Sequence, residues 1–180
     1  MNQIIVDSTQ TPVLVDVITE GPAGGITQGS YGSFLDTTTQ VLAEPNTATR
    51  VNIGTTVLSN NVSLDDNKIV FEKPGVYSLT FSVQLQNLEN NVVHAAGFWL
   101  RYMGQDYPNS ATAIDVPALR QQKPGETVCT VSFIGEAQNI GDYVELYWGA
   151  DSTQVRIATI PVNGYKPAAP GVILTVSQVG

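Results

Sequence analysis

Apolar and polar residues alternate along most of this chain, and no stretch keeps the three-to-four spacing of an amphipathic helix. The clearest run is 76–86, where Tyr77, Leu79, Phe81, Val83 and Leu85 are apolar while Ser78, Thr80, Ser82, Gln84 and Gln86 are polar. Successive side chains of a strand point to opposite faces, so this pattern predicts a strand with one face in a core and one in water. Shorter runs of the same kind occupy 98–102, 128–134, 143–148, 155–160 and 171–176. Residues 13–18 form a further candidate strand.

Turn residues punctuate these runs. Lys73-Pro74-Gly75 precedes the first, and Met103-Gly104-Gln105-Asp106 is expected to close a hairpin after Tyr102. Lys123-Pro124-Gly125-Glu126 and Asn139-Ile140-Gly141-Asp142 introduce the next two. Asp65-Asp66-Asn67 predicts a tight turn; it lacks the alternate oxygen ligands and the distal Glu of a calcium loop. Roughly eight to ten short strands at this spacing predict an antiparallel sandwich or barrel. They exclude a parallel fold with helical crossovers.

The break Glu20-Gly21-Pro22-Ala23-Gly24-Gly25 sets the first residues apart. The expected organisation is an extended N-terminal arm over 1–30 and one compact domain over 31–180. A strand in the arm, carrying Val13, Val15 and Val17, is unstable alone, so the arm is expected to anchor the protein to a partner.

Composition narrows the partners. A chain of 180 residues buries one good core. Charged residues make up only 13%, and uncharged polar residues take their place, which suits strand faces and subunit faces that pack without burying ions. A net charge of −8 disfavours nucleic acid and anionic membrane surfaces. No apolar run approaches the roughly 18–20 residues of a membrane-spanning helix. Met1 to Asp7 shows no secretory signal, so synthesis in a cytoplasm is the expectation. The single cysteine, Cys129, excludes an internal disulfide and reads as a small core residue.

Candidate chemistry is sparse. His94, the only histidine, follows the loop-like Asn90-Asn91-Val92-Val93 and is expected on the surface. No nucleophile elbow, phosphate loop, dinucleotide fingerprint or transition-metal ligand set is present in the sequence. The carboxylates Asp115, Glu136, Glu145 and Asp151 are scattered, and whether two face each other as in a glycosidase stays open. No enzyme, cofactor or metal is expected. The aromatic residues carry more information. Trp99 and Arg101 alternate with Phe98, Leu100 and Tyr102, while Tyr143, Glu145 and Tyr147 alternate with Val144, Leu146 and Trp148. Large side chains on both faces of a strand predict that Trp99, Arg101, Tyr143, Glu145 and Tyr147 form a subunit interface or a ligand surface.

Three segments carry a family resemblance. Phe71-Glu72-Lys73-Pro74-Gly75-Val76-Tyr77-Ser78-Leu79-Thr80-Phe81 resembles the signature strand of the C1q and tumour-necrosis-factor-like jelly roll. Gly141-Asp142-Tyr143-Val144-Glu145-Leu146 and Gly171-Val172-Ile173-Leu174-Thr175-Val176 are similar to later strands of that family, in the right order. Residues 99–104, 107–110, 173–179 and the arm segment 17–24 further resemble C1q-like modules of tailed bacteriophages. The resemblance implies an all-β, C1q/TNF-like jelly-roll sandwich of about ten antiparallel strands, assembled as a homotrimer without shared catalytic residues. It implies a virion location, with the arm bound to other virion proteins. The expected role is a tail fibre or spike module contacting a host glycan or protein; a head decoration or cement protein stabilising the capsid is the alternative. From another class, a glycan-binding lectin or adhesin also fits. One Gly21-Pro22-Ala23 triplet replaces the family's Gly-Pro-rich stretch, which excludes a long collagen-like shaft.

Overall fold

The computed structural model describes residues 29–180. The arm strand with Val13, Val15 and Val17 lies outside them. Fourteen strands and no helix make up the described chain. In order they are β1 (Tyr31–Asp36), β2 (Gln40–Val41), β3 (Thr49–Arg50), β4 (Thr55–Asn60), β5 (Val62–Asp65), β6 (Lys68–Phe71) and β7 (Gly75–Asn87). They continue with β8 (His94–Tyr102), β9 (Gln105–Asp106), β10 (Thr112–Val116), β11 (Gly125–Ala137), β12 (Tyr143–Ala150), β13 (Val155–Ile157) and β14 (Val172–Gln178).

Two antiparallel sheets pack face to face as a jelly-roll sandwich. The first sheet runs β11-β7-β14-β1-β4, with β13 and β2 extending it; the second runs β10-β8-β12-β6-β5, with β3 on β12 and β9 on β8. The chain crosses between the sheets repeatedly, among other places after β7, β10, β11 and β12, so neighbours in space are distant in sequence.

The alternation read from the sequence sets the core. Tyr77, Leu79, Phe81, Val83 and Leu85 of β7 all point inward and are buried. Phe81 meets Phe98 of the opposite sheet at 5.8 Å between ring centroids, and Phe98 stacks on Trp148 at 6.3 Å. Each such buried side chain contributes about 1.5–3 kcal/mol. Cys129 lies in the same layer, 4% exposed and opposite Val83, as expected of a small core residue.

The turns follow the sequence signals. Met103 and Gly104 take φ of 49° and 79° and close the β8–β9 hairpin, with Tyr102 opposite Gln105. Asp66 and Asn67, at 44° and 63°, close β5–β6. Two-residue hairpins of this handedness need positive φ at both central positions, which Asn, Asp and Gly tolerate. Gly75, Gly125 and the 139–142 turn sit at the starts of β7, β11 and β12.

Strand lengths differ from the sequence pattern at β13, β8 and β11. The 155–160 run stops as a strand at Ile157. β13 pairs β7 only at Leu85–Asn87, because the same edge of β7 is occupied by β14 from Val83 onward. Conversely, β8 and β11 extend past their alternating segments, through Ala95-Ala96-Gly97 and through Gly135 to Ala137, since their partners supply hydrogen bonds regardless of side chain.

The chain ends of the described domain meet at one end of the sandwich. Ser30 Oγ donates to Gln178 Oε1 (2.8 Å), and Val76 N donates to Gly180 O (2.7 Å). The opposite end, some 40 Å away along β7 at about 3.3 Å per residue, is organised by the buried Asn87. Its amide donates to Val92 O (2.8 Å) and Val116 O (3.3 Å), and its carbonyl accepts from Glu89 N (2.8 Å).

Candidate functional site

Two outward faces stand out. On the second sheet, register places Trp99 directly opposite Tyr147 and Arg101 opposite Glu145, so four of the five expected residues form one square. Asp106 of the β9 hairpin locks it: a single carboxylate oxygen accepts from the Trp99 indole N–H and from Arg101 Nε, both at 2.9 Å. The Arg101 guanidinium then lies 3.8 Å from the centre of the Tyr147 ring. These donors hold the Asp106 carboxyl below its ordinary range, Arg101 foremost and Trp99 next.

Glu145 is only 6% exposed and is capped by Arg50 at 3.2 Å, which also reaches Asp66. Tyr143 stands apart at the other end of β12, with the Lys68 ammonium 4.8 Å from its ring centre. The face is therefore aromatic, as its alternation predicts, but cations from neighbouring strands cover much of it.

Beyond Trp99 the same sheet is hollow. The next outward rung carries Ala113, Gly97 and Gly149, paired across β10, β8 and β12. Asn46 N binds Ala150 O (2.7 Å), bringing residues 46–48 alongside Gly149. The result is a trough of about 400 Å³, with Trp99 on one bank and Asp151 and Ala95 on the other.

The first sheet presents a different face. Three consecutive rungs cross five strands: Ile134-Ser78-Ser177-Tyr31-Asn60, Ser132-Thr80-Thr175-Ser33-Leu58 and Thr130-Ser82-Ile173-Leu35-Thr55. None of these fifteen positions is charged; the nearest carboxylates, Glu126 and Glu136, sit toward the two ends of β11. Hydroxyls pair across the strands, Thr80 with Ser132 at 2.7 Å and Thr130 with Ser82 at 3.0 Å, leaving Ile134 72% exposed, Val128 49% and Leu58 51%.

β11 itself borders an open side of the sandwich. Its inward Val131 and Phe133 are only half covered. A cavity of about 50 Å³ opens there between Phe133, Gly135, Leu100 and Tyr107. So β11 carries exposed apolar side chains on its outward face, Val128 and Ile134, and only partly covered ones on its inward face, Val131 and Phe133; the sequence suggested a strand apolar on both faces first for β12. The long alternation over 128–134 carried the signal, since Val128 and Ile134 fall out of phase with Cys129, Val131 and Phe133.

His94, expected on the surface, opens β8 directly after the 90–93 loop and is largely covered. Its ring nitrogens lie 2.9 Å from Asp151 and 2.7 Å from Glu89, and the side chain is 12% exposed. Of the scattered carboxylates, Glu136 and Glu145 belong to different sheets, whereas Asp115 and Asp151 flank Ala95 from either side. Among the described residues, no group of three or more His, Cys, Asp or Glu is placed to hold a metal ion, and no helix is long and apolar enough to cross a membrane.

No protein-family model matches the chain, and no curated protein is similar to it. What the fold defines is the class, an all-β jelly-roll sandwich.

Proposed function

We propose that the chain is a non-catalytic bacteriophage structural protein, a homotrimeric jelly-roll module of tail fibre or spike type, standing on the particle surface and anchored by residues 1–30. The observation that carries the assembly is the uncharged face of the first sheet beside the half-covered edge of β11. These are two unlike surfaces on one molecule, and each leaves apolar side chains in water. An edge-to-face contact between copies covers both at once, and a contact of this heterologous kind closes into a ring when its rotation divides the full turn evenly. The family resemblance gives the ring three members. With no charge in the fifteen central positions, the contact buries no ion.

The virion assignment is supported by the resemblance of 99–104, 107–110 and 173–179 to phage modules. Anchoring is supported by the chain leaving the domain beside Gln178, at the end away from the trough. The absent shaft favours a compact tip over a long fibre and keeps capsid decoration as the second reading.

The test is deletion of residues 1–30, with purified particles imaged by electron cryomicroscopy. The intact chain should appear as trimeric density on particles, and the truncated chain should remain trimeric but be missing from them. Truncated chains still decorating particles would contradict the anchoring role, and particles lacking the intact chain would contradict the virion assignment. Density on the head instead of the tail would select the cement reading.

A further inference from the structure

We propose that the trough on the second sheet binds a neutral hexose unit of a glycan, stacked on Trp99 and hydrogen-bonded to Asp151. This names a ligand for the host-contact role proposed above, while trimer formation and sugar binding are read by separate measurements.

Trp99 forms one wall of the trough. Trp99 is partly exposed, yet its indole N–H is held by Asp106 and its neighbour Tyr147 is braced by Arg101. The ring is thus fixed before any ligand arrives, and it presents a flat π-face instead of a donor. A fixed aromatic plane loses little conformational entropy on binding.

The floor is the second element. Ala113, Gly97 and Gly149 share one rung, and a longer side chain at 97 would enter the trough, whereas Gly149 lies under Thr47, whose carbonyl oxygen an added β-carbon would meet at 3.2 Å. Nothing in the backbone demands glycine at 97, where an added β-carbon would meet only Thr112 O, at 3.5 Å. The hollow of about 400 Å³ falls within the usual range of small-molecule sites.

The rim then selects the occupant. Asp151 is bound to His94 and to Ala95 N (3.2 Å), but its side chain remains 45% exposed, with lone pairs to spare. Asn46 and Thr47 line the other side. No lining residue is basic, which disfavours an acidic sugar, a phosphate or a sulfate. A purely apolar occupant would strip water from Asp151 without replacing its hydrogen bonds. A neutral pyranose meets both demands, with a C–H face for Trp99 and hydroxyl donors for the carboxylate and the amide. The site also faces the end of the sandwich opposite Ser30 and Gln178, where an anchored module meets its surroundings.

The experiment is isothermal titration of the intact chain with the hexaoses of α-1,4-glucose, β-1,4-glucose and β-1,4-mannose, and with trigalacturonate as the acidic comparison. One or more neutral hexaoses should bind with a dissociation constant near ~1 mM, and more tightly than trigalacturonate. Trp99→Ala and Gly97→Leu should each weaken binding about tenfold or more. Thermal melting and the mass by light scattering report separately that each variant is folded and assembled. No heat from any neutral hexaose up to ~20 mM, unchanged affinity in both variants, or preference for the acidic probe would each overturn the proposal. A trimer that binds no sugar refutes this site alone; a monomer that binds refutes the assembly alone.

Discussion

At Gly125 an added β-carbon would stand 1.7 Å from the carbonyl oxygen of Pro117, so the backbone of β11 begins in a space that admits only hydrogen. The sequence marks this glycine as part of a Pro-Gly turn, but the reason for it lies in a loop that no local pattern reveals. Gly125→Ala should destabilise the domain by about 3 kcal/mol or more in urea denaturation, whereas Gly135→Ala, with nothing within 4 Å, should change little. The corner at Asp142 is similar. Its turn is legible as Asn-Ile-Gly-Asp, yet the carboxylate's role is not: it accepts from Tyr102 Oη, Gln138 N and Asn139 N. The Tyr102 hydrogen bond and those backbone donors hold its carboxyl below the ordinary 3.8. This stabilisation is present above pH 3.8 and is lost as the pH falls through the lower folded value. Burial, then Asp142, pushes the Tyr102 phenol from 10.0 up to about 12. Its contribution is complete below pH 10.0 and lost as the pH rises through about 12. Asp142→Ala should cost about 2–3 kcal/mol and make melting less sensitive to acid in that window. An ultraviolet titration should find one phenol ionising near 12. Cys129, buried and with its thiol pushed up by burial, should react with thiol reagents only after unfolding.

At the scale of elements, strands with a strict alternation and one buried face were readable: β7 from Val76 on and β14 follow it residue by residue, and β12 departs from it only at Glu145, which Arg50 covers. β4 was not, because all of its residues are at least partly exposed and it has no core face to impose a period. β1 hides its signal by burying Gly32 and Asp36. The aromatic square of Trp99, Arg101, Glu145 and Tyr147 was legible as a shared face, since period-two geometry fixes sides. Its self-sufficiency was not, because Arg50 and Asp106 come from other segments. β11 supplies the element-scale test. Ile134→Lys places a charge at a 72% exposed position, which leaves the isolated fold intact but buries an unpaired ammonium in an edge-to-face contact. The variant should keep its circular dichroism and shift to monomer at micromolar concentration. The same substitution at Val162, 75% exposed in the loop before β14, should leave assembly unchanged.

For the whole molecule, the sequence shows an all-β sandwich because alternation and turn chemistry are local. Which surface associates is a property of sheet order, which places β11, β7, β14, β1 and β4 side by side and so gathers Ser, Thr, Ile and Leu from five distant segments into one uncharged field. The polar, charge-poor composition was the only trace of it in one dimension. In the proposed assembly the domain divides its labour by direction: chain ends at one end, the first sheet toward sister copies, the second sheet and its trough outward. The central claim is the assembly, and light scattering on the intact chain during size-exclusion chromatography tests it most directly. Three times the 19.2 kDa chain mass is expected, falling to one chain mass in Ile134→Lys. A monomer of the unaltered chain at tens of micromolar, or an Ile134→Lys variant that stays trimeric, would contradict it.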